Sequence, residues 1–419
     1  MGRCHLFAAI LALGALLVFA SNARSDDAIT LAQAIKRALA YAPSILTASA
    51  SGEFSDAQLT GARSALYPDL SAAGEYYQAP GYQEVITNGG LTLAELQAGY
   101  TVYDGGRRQA QVRAARYQVQ AAQLGIEAAQ AQIVYDTTVA YFDLLRNDEA
   151  VSEHEKRLRR LNAYVSIVQA LRRSGRALAT DVLRVSTTRD QEQLSLAAAR
   201  QMRAHSSIVL GSLMGIFGRT DLKIAPVTGL PSMATGDLLK SPTLRAAQRQ
   251  IEAAKAAVAA ARAERYPTFK LALTSGFLGV YPPETFGNHL GASYDGAMSM
   301  PIFDGGLITS HIQQAEAAMH SAIANQRQID LQLKRDLADA YSRYQDALGQ
   351  LKILEQSKTT ATDAFNLDWA RFLGGGNVTL LEVLDAFQAA ENLHLTKLDQ
   401  QYAARQAVAQ ARLLFGVAQ

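Results

Sequence analysis

The sequence is written twice, and this constrains the fold more than any local pattern. Laid over itself with a shift of about two hundred positions, the chain matches in order. Ala42-Pro43-Ser44 answers Ser241-Pro242-Thr243, Tyr67-Pro68 answers Tyr266-Pro267, and Val102-Tyr103-Asp104-Gly105-Gly106 answers Ile302-Phe303-Asp304-Gly305-Gly306. Farther on, Ala140-Tyr141 answers Ala340-Tyr341, Gly175 with Thr180-Asp181-Val182-Leu183 answers Gly376 with Leu381-Glu382-Val383-Leu384, and Leu213-Met214-Gly215 answers Leu414-Phe415-Gly416. Ala-rich helices align with anything, but Tyr-Pro and Asp-Gly-Gly do not. Two structural repeats are expected, 24–217 and 242–419, joined by a link over 218–241 that carries Pro226, Gly229, Pro231 and Gly236.

Each repeat sets a short alternating insert inside long helical text. In 68–103, Leu70, Ala72, Gly74 and Tyr76 alternate with Asp69, Ser71 and Glu75, then Ala94, Leu96, Ala98, Tyr100 and Val102 with Glu95, Gln97 and Thr101. In 267–303, Phe269, Leu271 and Leu273 alternate with Thr268, Lys270 and Thr274, then Ala292, Tyr294, Met298 and Ile302 with Ser293, Asp295 and Ser299. Period two predicts a pair of strands in each insert, with turn-forming loops over 79–90 and 280–289. Met298 and Met300 fall on the apolar side of the last strand, which favours a lipid contact over a soft-metal site.

Long helices are predicted over 104–173 and 304–372, with return helices over 177–214 and 377–415. A run this long without proline extends on the order of 100 Å. Val112, Val119, Ile126, Ile133 and Ala140 recur every seventh residue beside Ala115, Ala122 and Ala129, the seam of a coiled coil. Ile312, Met319, Leu333 and Ala340 repeat it beside Ala315, Ala322 and Ile329, interrupted at Gln326. Small Ala in the seam lets helices approach closely, so walls of helices are expected.

Residues 1–23 read as a secretory signal peptide: Arg3 and His5 precede an apolar stretch, Leu6 to Ala20, that is short of the ~20 residues needed to span a bilayer. The one cysteine, Cys4, lies before that stretch, so acylation at the mature N-terminus is not expected. With no other cysteine, disulfide scaffolds and Cys-ligated metal are excluded. A net charge of +2, from 40 basic and 38 acidic residues, gives no field for nucleic acid. No nucleophile–base pairing, no metal-spaced histidines and no phosphate-cradling loop are found, so no enzyme activity, cofactor or metal is expected. Gly374-Gly375-Gly376 fits a hairpin turn, and Asp104 and Asp304 read as N-caps at strand-to-helix junctions completed by Gly105, Gly106, Gly305 and Gly306.

Four strands cannot close a membrane barrel, which begins at about eight. Their edges must therefore be met by other copies, and three copies would give a ring wide enough for an aqueous lumen. Asp69, Glu75, Glu95, Gln97, Lys270 and Asp295 would line it. A soluble sandwich with one buried face, and an exported coiled-coil fibre or adhesin, are the other readings of the same pattern.

Taken together, the duplication, the Tyr-Pro strand entries, the exits Tyr103-Asp104-Gly105-Gly106 and Phe303-Asp304-Gly305-Gly306, and the hairpin text Gly376 to Asp385 resemble the TolC-type outer-membrane efflux proteins. The resemblance covers essentially the whole mature chain. It implies a mainly α protein with a transmembrane β-barrel: a homotrimer with twelve strands in the outer membrane, on a twelve-helix tunnel through the periplasm. It further implies an equatorial belt formed by the link and the C-terminal end, and a passive exit duct of a tripartite efflux pump or type I secretion system. The implied partners are outer-membrane lipid, a periplasmic adaptor protein and an inner-membrane transporter. Glu382 and Asp385, three apart on one helix face, match acidic residues that constrict the family's entrance and favour cations; an ordinary solvated helix start is the other reading. Thr180 and Asp181 match residues that help latch the entrance, whereas their partner positions hold Leu373 and Val378 in place of tyrosine and arginine. The hairpin tips, around Ser174 and Gly175 and around Gly375, Gly376 and Asn377, are expected to meet the adaptor.

Overall fold

The computed structural model describes residues 28–78, 90–280 and 290–416. The expected signal peptide with Cys4, and nearly all of both interstrand loops, lie outside these residues. The element order is α1 Leu31–Tyr41, α2 Pro43–Ser64, β1 Asp69–Gln78, β2 Gly90–Tyr103, α3 Arg107–Arg173 and α4 Ala179–Leu213. A link then leads through a short 3-10 turn, Leu238–Lys240, to α5 Pro242–Ala263, β3 Thr268–Val280, β4 Leu290–Ser299, α6 Leu307–Gly374 and α7 Leu380–Phe415.

Local chemistry sets the boundaries. Thr30 and Gln33 form a capping box at α1, where the Gln33 N–H donates to Thr30 Oγ1 at 3.3 Å and the Thr30 N–H to Gln33 Oε1 at 3.0 Å. Pro43 and Pro242 open α2 and α5 in the two repeats, where a missing N–H costs nothing. The 67 residues of α3 and 68 of α6 make rods of about 100 Å.

The four strands form one antiparallel sheet in the order β1-β2-β3-β4. The β2–β3 pairing joins the repeats, Tyr100 opposite Leu271 and Gln97 opposite Thr274. The register carries Leu70, Ala98, Leu273 and Tyr294 onto one face and Ser71, Gln97, Thr274 and Ser293 onto the other. The predicted apolar and polar sets thus segregate across all four strands. Two details depart from the expected text. A bulge between Thr101 and Tyr103 pairs Tyr103, rather than Val102, with Phe269, and their rings lie 6.0 Å apart. The last strand stops at Ser299, short of the expected 303, because Pro301 has no N–H to give the ladder. Met300, Ile302 and Phe303 therefore leave the strand face, the last two almost fully exposed.

Among the described residues the sheet buries no side chain. Every residue of β1 and β4 is exposed, including Leu70 at 75% and Tyr294 at 84%. The core lies among the helices. Leu59 of α2 packs on Val112, Ala115 and Val119 of α3, which is the first part of the predicted seam; Ile126 is half-buried beside Gly52. At mid-length, Ala140, Tyr141, Leu144 and Leu145 of α3 meet Leu210 of α4 and Tyr402 of α7. The link is held against this girdle. Ile29 and Ile224 make a parallel bridge, and the Tyr141 hydroxyl lies 2.9 Å from the Ile29 carbonyl and 2.6 Å from that of Ala225. Tyr344 donates to the Pro231 carbonyl at 3.0 Å.

Candidate functional site: the hairpin tips and the strand–helix junctions

The far ends of the two helical hairpins are built alike. After α3, Ser174 closes the helix, Gly175 takes φ 76°, and the Arg176 N–H donates to the Leu171 carbonyl at 2.8 Å. After α6, Gly375 takes φ 78° and the Gly376 N–H donates to the Arg371 carbonyl at 2.9 Å. Both turns reach back five residues through a left-handed residue, the arrangement that ends many helices. The third residue of each return helix then caps it. Asp181 Oδ2 accepts the Leu178 N–H at 2.9 Å. Glu382 Oε2 accepts the Thr379 N–H at 2.8 Å, while Thr379 Oγ1 accepts the Glu382 N–H at 3.3 Å. The return helices accordingly begin at 179 and 380 rather than at 177 and 377.

The two tips are brought together within one chain. The Arg176 guanidinium donates to the Leu373 carbonyl. Beneath it, Val165, Val168, Val185, Leu380 and Leu384 pack as one cluster, and Leu161, Phe365, Val383 and Phe387 as another, against which Val378 packs. Tyr164 sits at the centre, its ring 4.5 Å from that of Trp369 and 5.6 Å from that of Phe387. Sequence reading missed this aromatic knot, because Tyr164, Phe365, Trp369 and Phe387 lie on three helices far apart in the chain. Ser174, Gly175, Asn377, Thr180, Glu382 and Asp385 remain exposed around it.

An ionic layer backs the knot. Glu192 of α4 is buried, with His154 Nδ1 at 2.7 Å and Arg157 Nε at 3.1 Å. Arg160 grips buried Glu391 of α7 through Nη1 at 2.8 Å and Nη2 at 3.1 Å. Burial pushes the Glu391 carboxyl up from its ordinary value, against the pull of Arg160 and Arg157. Both arginines also lie over the Phe387 ring, at 5.7 and 5.8 Å.

The junctions at the other end of the rods are duplicated with one difference. Asp104 Oδ1 accepts the Gly106 N–H at 3.2 Å and Oδ2 the Arg108 N–H at 3.0 Å. Asp304 does the same with Gly306 at 2.9 Å and Ile308 at 2.7 Å. The formal N-caps are Gly106 and Gly306, so the aspartates cap from two residues farther out than expected, and the helices start at 107 and 307. In the first repeat Arg108 adds its own Nε to Asp104 at 3.0 Å and donates to the carbonyls of Ala65 and Thr101. That buries the junction. At Gly105, φ is 67° and an added Cβ would stand 2.6 Å from Tyr266 Cβ, so no other residue fits. In the second repeat Ile308 replaces the arginine and Asp304 stays exposed, its carboxyl held below its ordinary value by the backbone N–H groups of Ile308 and Gly306.

Among the described residues no helix is long and apolar enough to cross a membrane, and no cluster of potential ligands could hold a metal ion. Against known proteins, the family described as Outer membrane efflux protein matches residues 34–216 and 237–417. The outer membrane efflux protein BepC of Brucella suis is 23% identical over 293 residues, 68% of this chain and 63% of that one. The solvent efflux pump outer membrane protein SrpC of Pseudomonas putida is 26% identical over 360 residues, 82% of this chain and 74% of that one. The outer membrane protein VceC of Vibrio cholerae superposes with a TM-score of 0.83 at 22% identity, over 92% of this chain and 96% of that one. The fold of this chain, four strands set on long antiparallel helices, is therefore shared with that protein. The chain belongs to the outer membrane efflux protein family.

Proposed function

We propose that three copies of this chain form a passive outer-membrane exit duct. One observation carries the reading: a four-stranded sheet with one apolar face, no side chain of which is buried among the described residues, and with both edge strands unmet. Twelve strands from three copies would close the edges and leave a lumen lined by Asp69, Glu75, Glu95, Gln97, Lys270 and Asp295. The apolar face would meet outer-membrane lipid, and the helical rods would continue as a periplasmic tunnel. A soluble sandwich or fibre cap would bury one face of its strands, and here neither is buried.

At the far end, three copies would bring Glu382 and Asp385 into rings of like charge that favour cations. Thr180 and Asp181 would line the same aperture. The tips at Ser174, Gly175, Gly375, Gly376 and Asn377 would meet a periplasmic adaptor, which couples the duct to an energised inner-membrane transporter. Cys4, ahead of the apolar leader, supports a mature chain without acylation. Conductance in planar bilayers tests the reading: trimers should give stable aqueous channels, and silence from correctly folded trimers would refute it.

A further inference from the structure

At the girdle, where the link crosses the helices, lies a cavity of about 220 Å³ lined by Thr138 and Phe142 of α3, Thr228 and Gly229 of the link, and Arg405 and Arg412 of α7. Its lining is mainly apolar, with Leu31, Val227, Leu230, Pro231, Val408 and Ala409 completing the wall, and the two arginines are its only charged groups. Arg405 is more than nine-tenths buried, yet no carboxylate among the described residues pairs with it. Its Nη2 donates to the Val227 carbonyl at 3.0 Å and the Gly229 carbonyl at 3.2 Å, and its guanidinium lies 4.6 Å from the Tyr402 ring. These contacts neutralise nothing, and Arg405 Nε is buried with no hydrogen-bond partner. Glu149 reaches Arg405 only through Tyr402, whose hydroxyl bonds to the Glu149 carboxylate at 2.8 Å and also meets the Arg405 side chain. Two turns along the same helix face, at ~10 Å, half-buried Arg412 lines the cavity too, and no described residue bonds to its guanidinium. A buried guanidinium with no direct counter-charge is costly, and a second, half-buried one beside the same void makes a site that can accept an anion.

We propose that this equatorial cavity binds a small oxyanion, a carboxylate or a phosphate, between Arg405 and Arg412. Guanidinium groups take both through paired, charge-assisted hydrogen bonds. The cavity has room for several waters, each with a share of about 30 Å³, and so for a compact organic acid or phosphate but not a polymer. Bound there, the anion would tie the link to α7 and stabilise the folded girdle by mass action.

The test uses the full-length protein in detergent, with inorganic phosphate or acetate replacing chloride at constant ionic strength, so that screening is unchanged. Calorimetric titration and the unfolding midpoint should both report binding of at least one of the two. Arg412→Gln breaks no hydrogen bond seen here and should bind about tenfold more weakly; Arg405→Gln should abolish binding. Should Arg405→Gln fail to fold, Arg412→Gln decides alone. Response to acetate only would mark the ligand as a carboxylate, and to phosphate only as a phosphate. No response beyond chloride to either, or an undiminished response in Arg412→Gln, would overturn the proposal. Since the readout is binding, Arg412→Gln should leave conductance intact, and the test stands whether or not the protein conducts.

Discussion

Asp181 and Glu382 hold the same post in the two repeats: each is the third residue of a return helix, and each accepts the backbone N–H three residues before it, at 2.9 and 2.8 Å. A carboxylate there satisfies an orphan donor and meets the positive end of the helix dipole. The capping role and the proposed charge at the entrance are therefore carried by one group, and substitutions can separate them.

Glu382→Gln retains the capping geometry of Glu382 and removes its charge, whereas Glu382→Ala removes both and should cost about 0.5–2 kcal/mol of helix stability. In bilayers, Glu382→Gln with Asp385→Ala should lower the cation preference and relieve block by multivalent cations. The reversal potential in a salt gradient checks this; an unchanged value would remove these residues from the aperture.

On the sheet, Leu271 and Lys270 are neighbours on opposite faces. Leu271→Arg should destabilise the membrane-inserted form by about 2–4 kcal/mol if the residue lies near mid-bilayer, while Lys270→Gln should be tolerated. Folding yield into lipid vesicles measures both, and equal tolerance would mean the lipid and lumen faces are reversed.

Within the helical wall, Ile126 of α3 stands against Gly52 of α2, where an added Cβ would be 3.3 Å from its Cδ1. Ile126→Asp places an unpaired charge in that seam in every copy. Trimers should be lost on native electrophoresis in detergent, and their survival would place this face toward water.

His394 of α7 faces Lys358, Glu153, Arg160 and Lys397, and burial together with the three cations holds its pKa below the ordinary 6.5. The unfolded chain therefore takes up this proton first, and stability should fall as pH drops below about 6.5. His394→Gln should flatten that limb of the unfolding midpoint between about pH 7 and about pH 5; a limb as steep as before would exclude His394 as its source.

Much of this architecture is legible in the residues, because period-two alternation and a sevenfold seam are local signals and the duplication shows each of them twice. What escaped reading depends on distant neighbours. Pro301 does announce a strand end, but Ile302 continued the apolar alternation and masked it. The bulge opposite Phe269 needs the register of β3, which β2 alone does not specify. Leu373 and Val378 bring no polar side chain to the latch positions, and the tie that Arg176 makes between the tips of one chain runs to a backbone carbonyl, which carries no side-chain signature. Arg405 gave no signal at all, since only its burial against the link sets it apart from the other arginines.

The central claim is that the open sheet edges of three copies close one another in lipid. The mass of the protein, measured by light scattering with and without detergent, tests this most directly. Three chains in a detergent-dependent particle are predicted; a monodisperse monomer, soluble in plain buffer, would contradict the account.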